Sequence, residues 1–265
     1  FVKMWIKQFS IDTWLWITFA IGALIILIAM SAGKIVTKNP PQEKVIANQS
    51  EAKKKSGNPA MEGAKLVFSS KYLLAIVGIV GFYEIISTVM DFQFTATVEH
   101  FVPKENIGEH FSTVFTITNI ISLIVQLFLT SFIMTRFGLK TALLVLPVAI
   151  LAGSCGFMMF PILLTGSLLN TTDNGFSYSI NQSAKETLYV PTTREEKYKA
   201  KAFIDMFVQR FAKAIAVAVS LIITTIFTDF SSIRWLSLFT IIIAAGWLYA
   251  VNYAGSKFKE LASEN

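Results

Sequence analysis

Two carboxylates lie inside a long apolar stretch, where an ionised group is costly. Glu84 and Asp91 both fall within residues 72–98, which are otherwise rich in aliphatic and aromatic side chains. A charge at the centre of a bilayer costs at least about 2.5 kcal/mol on insertion scales. Seven residues make nearly two helical turns, so both carboxylates project from one helix face about 10 Å apart. Their presence predicts a cationic partner or a water-filled path across the membrane.

A later apolar stretch, residues 202–227, carries acids and bases near its start. At about 100° per residue, its four polar side chains fall within an arc of roughly 140° on a helix: Asp205, Gln209, Arg210 and Lys213. Asp173 lies in a polar run between the two stretches. Two interpretations of Arg210 and Lys213 stay open. They snorkel to the headgroups or pair with acids of the bundle, or they bind an anion directly.

Several classes of protein are excluded because their motifs are absent from the sequence. The chain has no glycine-rich phosphate loop of the Walker type, no HExxH motif, no His/Cys cluster and no recognisable Ser/His/Asp arrangement. It also lacks a selectivity-filter sequence of the potassium-channel type, which disfavours a channel. The sequence therefore predicts no enzymatic activity, no catalytic residue, no metal site and no cofactor.

Composition and hydropathy indicate a polytopic membrane protein. Of the 265 residues, 54% are hydrophobic and 15% are charged, and the mean hydropathy is +0.58. A bilayer core about 30 Å thick needs roughly 20 apolar residues in a helix, and in lipid the backbone must bond within its own segment. We therefore expect seven transmembrane α-helices, in residues 13–30, 72–98, 111–135, 141–159, 161–181, 202–227 and 233–254.

The basic residues orient these predicted helices. If the connection 31–71 is cytoplasmic, seventeen lysines and arginines lie in cytoplasmic connections, and only Lys3, Lys7 and Lys104 lie in connections on the other side. The net charge of +6 then reflects membrane topology and not a nucleic-acid groove, so we expect a lipid bilayer and no nucleic acid as a partner. The C-terminus is predicted to be cytoplasmic.

The connection 31–71 differs from the others because it is long, polar and rich in lysine. It predicts a solvated tether, which we favour over a segment that binds acidic lipid. The domains expected are the last helix of an N-terminal half (1–30), a basic cytoplasmic linker (31–71), a C-terminal six-helix transporter bundle (72–255) and a cytoplasmic tail (256–265). The chain is therefore expected to be a fragment, with the missing N-terminal half as its partner.

The stretch 178–213 resembles the nucleotide transporter family, the ATP/ADP translocases of plastids and intracellular bacteria. The resemblance is carried by Lys185-Glu186, Leu188-Tyr189-Val190-Pro191, the run from Lys199 to Asp205, and Lys213. A weaker likeness covers residues 72–255. Within it, the run from Tyr83 to Phe94 is similar to the seventh helix of the family, and the run from Met134 to Lys140 is similar to a basic loop of the major facilitator fold.

The resemblance implies a twelve-helix major-facilitator architecture that exchanges ATP for ADP, with or without phosphate. By motif match it also implies that Asp91 and Lys185 are the transport-critical acid and base. The chain departs from the plastid pattern at two places. Thr95 stands where those members have a lysine, and the sequence from Arg210 to Lys213 stands where they have Pro-Leu-Gly-Lys.

We therefore predict a secondary active transporter of the bacterial inner membrane, an ATP/ADP antiporter that works by alternating access. The residues predicted to bind or move the solute are Asp91, Lys185, Arg210, Lys213, Glu84, Asp173 and Asp205. The departures keep one alternative open. It is a major-facilitator carrier of another anionic or organic solute, coupled to protons through Glu84 or Asp91.

Overall fold

The computed structural model describes residues 9–38, 59–227 and 229–264. All regular secondary structure in these residues is helical. Six helices are long and apolar enough to cross a membrane: Asp12–Ser31, Lys71–Phe101, Lys104–Arg136, Gly138–Met159, Glu196–Ile226 and Phe230–Ser263. The prediction of an all-α integral membrane protein is confirmed.

Helix α1 (Ile11–Lys38) belongs to a compact unit of its own, residues 1–59. Its large apolar side chains are open to the surroundings, with Trp16 71% exposed and Phe19 68% exposed. Exposing such a continuous apolar surface to water would be unfavourable, whereas the hydrocarbon of a bilayer is an apolar environment suited to it. The helix also continues eight residues beyond residue 30, where the sequence predicted the first domain to end.

The second compact unit, residues 60–265, is a helical bundle. Its α-helices are α2 (Pro59–Ser69), α3 (Lys71–Phe101), α4 (Ile107–Ile124), α5 (Ser131–Arg136), α6 (Gly138–Met159), α7 (Leu163–Phe176), α8 (Gln182–Thr187), α9 (Arg194–Phe203), α10 (Gln209–Ile226) and α11 (Arg234–Glu264). Three π-helical turns, Val125–Thr130, Ser177–Asn181 and Ile204–Val208, join α4 to α5, α7 to α8 and α9 to α10 without a break.

The fifth of the seven predicted spans is the one that differs from expectation. Helix α7, the following π-turn and α8 form one unbroken helical run of residues 163–187, but this run is not among the six apolar helices. The reason is its polar centre, residues 170–174, where Asn170 and Asp173 are buried against other helices. Burial in the bundle, and not contact with lipid, accommodates these groups.

Helix α3 is the element that positions the acidic face. It contacts α7, α10 and α11. Gln93 of α3 is fully buried, and its Nε2 donates hydrogen bonds to the Ile233 carbonyl at 3.1 Å and to Ser237 Oγ at 2.9 Å. Nearly three turns earlier on α3, the Tyr83 ring lies 5.8 Å from the ring of the buried Trp247. These contacts fix α3 against α11 and leave its carboxylates facing α7 and α10.

Helix α2 occupies part of the segment that was predicted to be a solvated tether. Val67 is only 1% exposed, and Glu62 Oε2 lies 2.7 Å from Lys199 Nζ of α9. Gly63 makes this approach possible, because a Cβ at that position would lie 2.6 Å from the Lys199 carbonyl oxygen and 2.9 Å from Phe203 Cβ. The end of the predicted linker therefore packs on the bundle. Similarly, α11 continues through most of the predicted tail.

Replacing Gly63 with alanine is expected to loosen α2 from α9. The added methyl group collides with backbone, which cannot rotate away, and overpacking of this kind costs about 1–3 kcal/mol. Hydrogen–deuterium exchange of residues 61–69 should become faster in the variant. Gly156→Ala is the matched control, because nothing lies within 4 Å of a Cβ there. Unchanged exchange in α2 would show that the close approach is not needed for docking.

Candidate functional site

A polar cavity of about 430 Å³ opens between three helical segments of the bundle. Helix α3 contributes Tyr83, Glu84, Ser87 and Asp91. The run from α7 to α8 contributes Asn174, Ser177, Tyr178, Asn181, Gln182, Lys185 and Glu186. The π-turn before α10, and α10 itself, contribute Asp205, Gln209 and Lys213. Five of the seven predicted solute-binding residues therefore lie around one cavity.

The α3 wall follows helical spacing. Glu84, Ser87 and Asp91 are three and four residues apart, so all three face the cavity as the sequence predicted for the two acids. The two carboxylates differ in environment. Asp91 is exposed and accepts a hydrogen bond from Asn170 Nδ2 at 2.9 Å, whereas Glu84 is 9% exposed.

Glu84 is held by a single cation across the cavity. Its Oε2 lies 3.4 Å from Lys213 Nζ, and the side chain of Lys213 is 58% exposed. Lys213 also interacts electrostatically with Asp91. One solvated cation thus interacts with two acids, one of which is buried. Because Lys213 is more than half exposed, solvent screens its attraction to both acids, and it can leave them for another oxygen acceptor.

The opposite end of the cavity has its own charge network. Glu186 Oε2 lies 2.6 Å from Lys201 Nζ, and this Nζ lies 5.8 Å from the centroid of the Tyr189 ring. Asp205 interacts electrostatically with Lys185 and Lys201. Burial raises the pKa of the Tyr189 hydroxyl, and the carboxylates of Asp205 and Glu186 raise it further, so this group stays neutral at physiological pH.

Of the two lysines that line the cavity, Lys185 is the one without a direct carboxylate contact among the described residues. Its side chain is half-buried at the cavity wall. Among the described residues it forms no ion pair within 4 Å and no hydrogen bond, whereas Lys201 and Lys213 each contact a carboxylate. An ammonium group is a compact donor of three hydrogen bonds, which suits the oxygens of a phosphate chain.

Asp173 lies behind the α3 wall and does not line the cavity. It is fully buried, and its Oδ2 accepts a hydrogen bond of 2.6 Å from Ser87 Oγ, which does line the cavity. The sequence placed Asp173 in the polar run correctly, but its surroundings depend on how α7 packs on α3.

Arg210 lies outside the cavity, which differs from the prediction that it shares one face with its neighbours. Its side chain is exposed. On the α10 helix, Lys213 is only about 40° around the axis from Gln209, whereas Arg210 is about 100° away in the same direction. The π-turn at residues 204–208 adds to the change, because it alters the angular spacing between Asp205 and the residues of α10.

Several cavity residues were not assigned to the site from the sequence: Ser177, Tyr178, Asn181, Gln182 and Glu186. A signal for them was present. Asn174, Tyr178, Asn181 and Lys185 are spaced by four, three and four residues, which is the stripe of one helix face. The polar stripe was hidden because the apolar residues around it, such as Ile180, also fit a membrane span.

The cavity combines cations and acids within one membrane bundle, and no metal-binding cluster occurs in the part of the chain that the structure describes. Lysines that interact with carboxylates can exchange those partners for an anionic ligand, since both are oxygen acceptors. The arrangement therefore provides two ammonium groups, those of Lys185 and Lys213, as donors to an anionic ligand.

Comparison with known proteins identifies the family of this chain. The sequence model of the TLC ATP/ADP transporter family matches residues 2–166 and 159–258. ADP,ATP carrier protein 2 of Chlamydia pneumoniae is 23% identical over 259 residues, which cover 87% of this chain and 48% of the carrier. The plastidic ATP/ADP-transporter of Solanum tuberosum is 23% identical over 243 residues, 83% of this chain and 38% of the transporter.

ADP,ATP carrier protein 1 of Chlamydia muridarum is 26% identical over 187 residues, covering 62% of this chain and 35% of the carrier. The chain thus spans about a third to a half of the length of these relatives. No solved structure matches the chain. Since the family match extends over nearly all of its residues, the chain belongs to the TLC ATP/ADP transporter family.

Proposed function

We propose that this chain is part of a secondary active transporter that exchanges ATP for ADP by alternating access. The observation that carries the proposal is the polar cavity in a membrane bundle, where Lys185 and Lys213 face acids and lie within reach of a solute. Family membership supports the choice of nucleotides. The polyphosphate is the part of the solute that the two lysines would bind.

The mechanism we propose is an exchange of partners on the lysines. Without nucleotide, Lys213 contacts Glu84, and Lys185 interacts with Asp205. The phosphate chain of an incoming nucleotide binds the ammonium groups of both lysines, which then no longer balance the carboxylates. The carboxylates therefore repel one another and the ligand. The cavity therefore has two balanced charge arrangements, which is the property that lets a ligand shift a conformational equilibrium.

We also propose that the bundle is one half of a major-facilitator-type transporter. The relatives are two to three times as long as the part that matches, so a second bundle from the same polypeptide would supply the facing wall. Transporters of this type place the solute near the bilayer midplane, at the interface between their repeats. On this view the cavity of the present chain is half of the complete binding site.

The proposed orientation places the linker and the C-terminus in the cytoplasm of a bacterial cell, with the helices in the inner membrane. Support comes from the excess of lysine and arginine in alternate connections, seventeen against three. Residues 39–58 of the linker lie outside the described residues.

The test is counterflow by the full-length transporter in proteoliposomes. Vesicles loaded with ADP should take up labelled ATP much faster than empty vesicles, and external ADP should compete with the uptake. Vesicles loaded with phosphate or with another organic anion are the controls. If no nucleotide inside the vesicles changes the rate of labelled ATP uptake, and a proton gradient drives flux of a different solute, the protein is instead a carrier of another anionic or organic solute.

A further inference from the structure

Asp173 is a buried acid that the exchange mechanism does not use. It has no exposed surface, and its Oδ1 has no hydrogen-bond partner in the structure. Its Oδ2 accepts the hydrogen bond from Ser87 Oγ at 2.6 Å. Ser87 lines the cavity, so this hydroxyl is the link between the hidden acid and the solvated space.

The titratable groups around Asp173 are mostly acids. Three groups of α3 interact with Asp173: Tyr83, Glu84 and Asp91. The other titratable groups on the elements packed against α7 are Lys71, Tyr72, Glu99 and His100 on α3, Glu109 and His110 on α4, Lys140 and Cys155 on α6, and Tyr178 in the adjoining π-turn. Glu84 and Asp91 act on Asp173 as like charges. His110 contacts Ser167, and Lys140 packs on Gly255. In the described part of the chain, no lysine or arginine pairs with Asp173.

An ionised carboxylate in this position would be strongly destabilised. Removal from water costs an unpaired ion several kcal/mol, or more in an apolar interior, so a carboxylate in this position binds a proton more readily than an exposed one does. The neighbouring acids increase the cost because like charges repel at short range. A proton on Oδ1 removes the charge and leaves Oδ2 free to accept from Ser87, as observed.

We propose that Asp173 is a proton-binding site whose occupancy is linked to the solute in the cavity. The proton comes from cavity water and returns to it: Ser87 Oγ passes its own proton to Oδ2 of Asp173 and takes one from the water. Rotation of the carboxyl group then places the protonated oxygen at the Oδ1 position, and the other oxygen accepts from Ser87. The inference rests on the proposed function, because it assigns the proton to the same polyanion-binding cavity. It adds a second transported species, which nucleotide exchange does not require.

The direction of coupling follows from the charges. A nucleotide that binds Lys213 withdraws that cation from Glu84 and Asp91 and adds negative charge to the cavity. Both effects raise the cost of an ionised Asp173, so the fraction of Asp173 that carries a proton rises when the nucleotide binds. ATP carries more negative charge than ADP, so bound ATP favours protonation of Asp173 more strongly than bound ADP does. Protons are therefore expected to move in the same direction as ATP.

The experiment measures exchange by the full-length transporter with and without an inward proton gradient, with the membrane potential clamped at zero. Wild-type uptake of labelled ATP into ADP-loaded vesicles should accelerate several-fold when the interior is alkaline, and the external medium should become more alkaline during uptake. In Asp173→Asn, which keeps an acceptor for Ser87 but cannot take up a proton, the ratio of the two rates should fall to one. Glu105→Gln removes an exposed carboxylate and should keep the wild-type ratio.

Each variant is normalised to its own rate without a gradient, so a slower variant remains informative. If Asp173→Asn does not transport, proton uptake on ATP binding is measured in detergent by calorimetry in two buffers of different ionisation enthalpy. Wild type and Asp173→Glu should take up a proton, and Asp173→Asn should not. Wild-type exchange that is indifferent to the gradient overturns the inference and leaves the proposed function standing. An Asp173→Asn variant whose rates with and without the gradient have the wild-type ratio also overturns the inference and leaves the proposed function standing. Absence of any nucleotide exchange rejects the proposed function itself.

Discussion

Replacing Lys185 with glutamine is expected to reduce ATP/ADP exchange about 100-fold or more, with little change in the amount of folded protein. Removing one partner of a desolvated charge pair with a ligand costs about 2–5 kcal/mol, and about 1.4 kcal/mol corresponds to tenfold. The side chain lies at the cavity wall without a direct ion pair among the described residues, so the substitution removes ligand contact and not a structural bond. The measurement is initial counterflow in proteoliposomes, normalised to reconstituted protein.

The matched control is Lys104→Gln, which removes an exposed lysine that does not line the cavity. It should exchange at the wild-type rate. Lys185→Arg keeps the positive charge but places it on a larger planar group, so partial activity is expected. Full exchange by Lys185→Gln at normal expression would remove Lys185 from the binding of the phosphate chain.

Reversing either charge of the Glu84–Lys213 pair is expected to abolish exchange, and reversing both should restore part of it. Glu84→Lys places two ammonium groups together, and Lys213→Glu adds a third acid beside Glu84 and Asp91. Each single change therefore leaves a like-charged pair at the 3.4 Å contact. The double variant re-forms an ion pair across the same gap between α3 and α10.

Stability and transport should respond differently to this pair. Because Lys213 is more than half exposed, solvent screens the attraction, and Lys213→Gln should lower the free energy of unfolding by only about 1 kcal/mol or less. Exchange should fall much further if the lysine binds the solute. Thermal unfolding in detergent and counterflow in vesicles separate the two effects. Exchange by the double variant no better than by the single variants would indicate that Glu84 and Lys213 act independently.

The sequence predicted those features that depend on one helix at a time. The seven-residue spacing of Glu84 and Asp91 was enough to place both on one face, because an α-helix returns to the same side after nearly two turns. The same reasoning was incomplete for Arg210, since a π-turn before α10 changes the angular register and leaves no simple mark in the sequence.

Features that depend on two helices could not be predicted in this way. The hydrogen bond from Ser87 to Asp173 joins α3 to the run that begins with α7, and the residues are 86 positions apart. The docking of α2 depends on the fit of Gly63 to the backbone of α9. From its composition alone, the segment that contains Gly63 was predicted to be a polar linker. The placement of Asp173 beside Ser87, and of α2 on the bundle, depends on packing between distant segments and not on the local sequence pattern.

Two of the three π-turns, Ser177–Asn181 and Ile204–Val208, lie where the run from α7 and the start of α10 border the cavity. Each holds one residue more than the α-helical turn it replaces, while the helix on both sides stays hydrogen-bonded. If such a defect moves along its helix by one position, the residues it passes rotate by about 100° without unfolding the segment. A shift of this kind at either π-turn would therefore rotate Tyr178 or Asp205 relative to the cavity without breaking the helix that carries it.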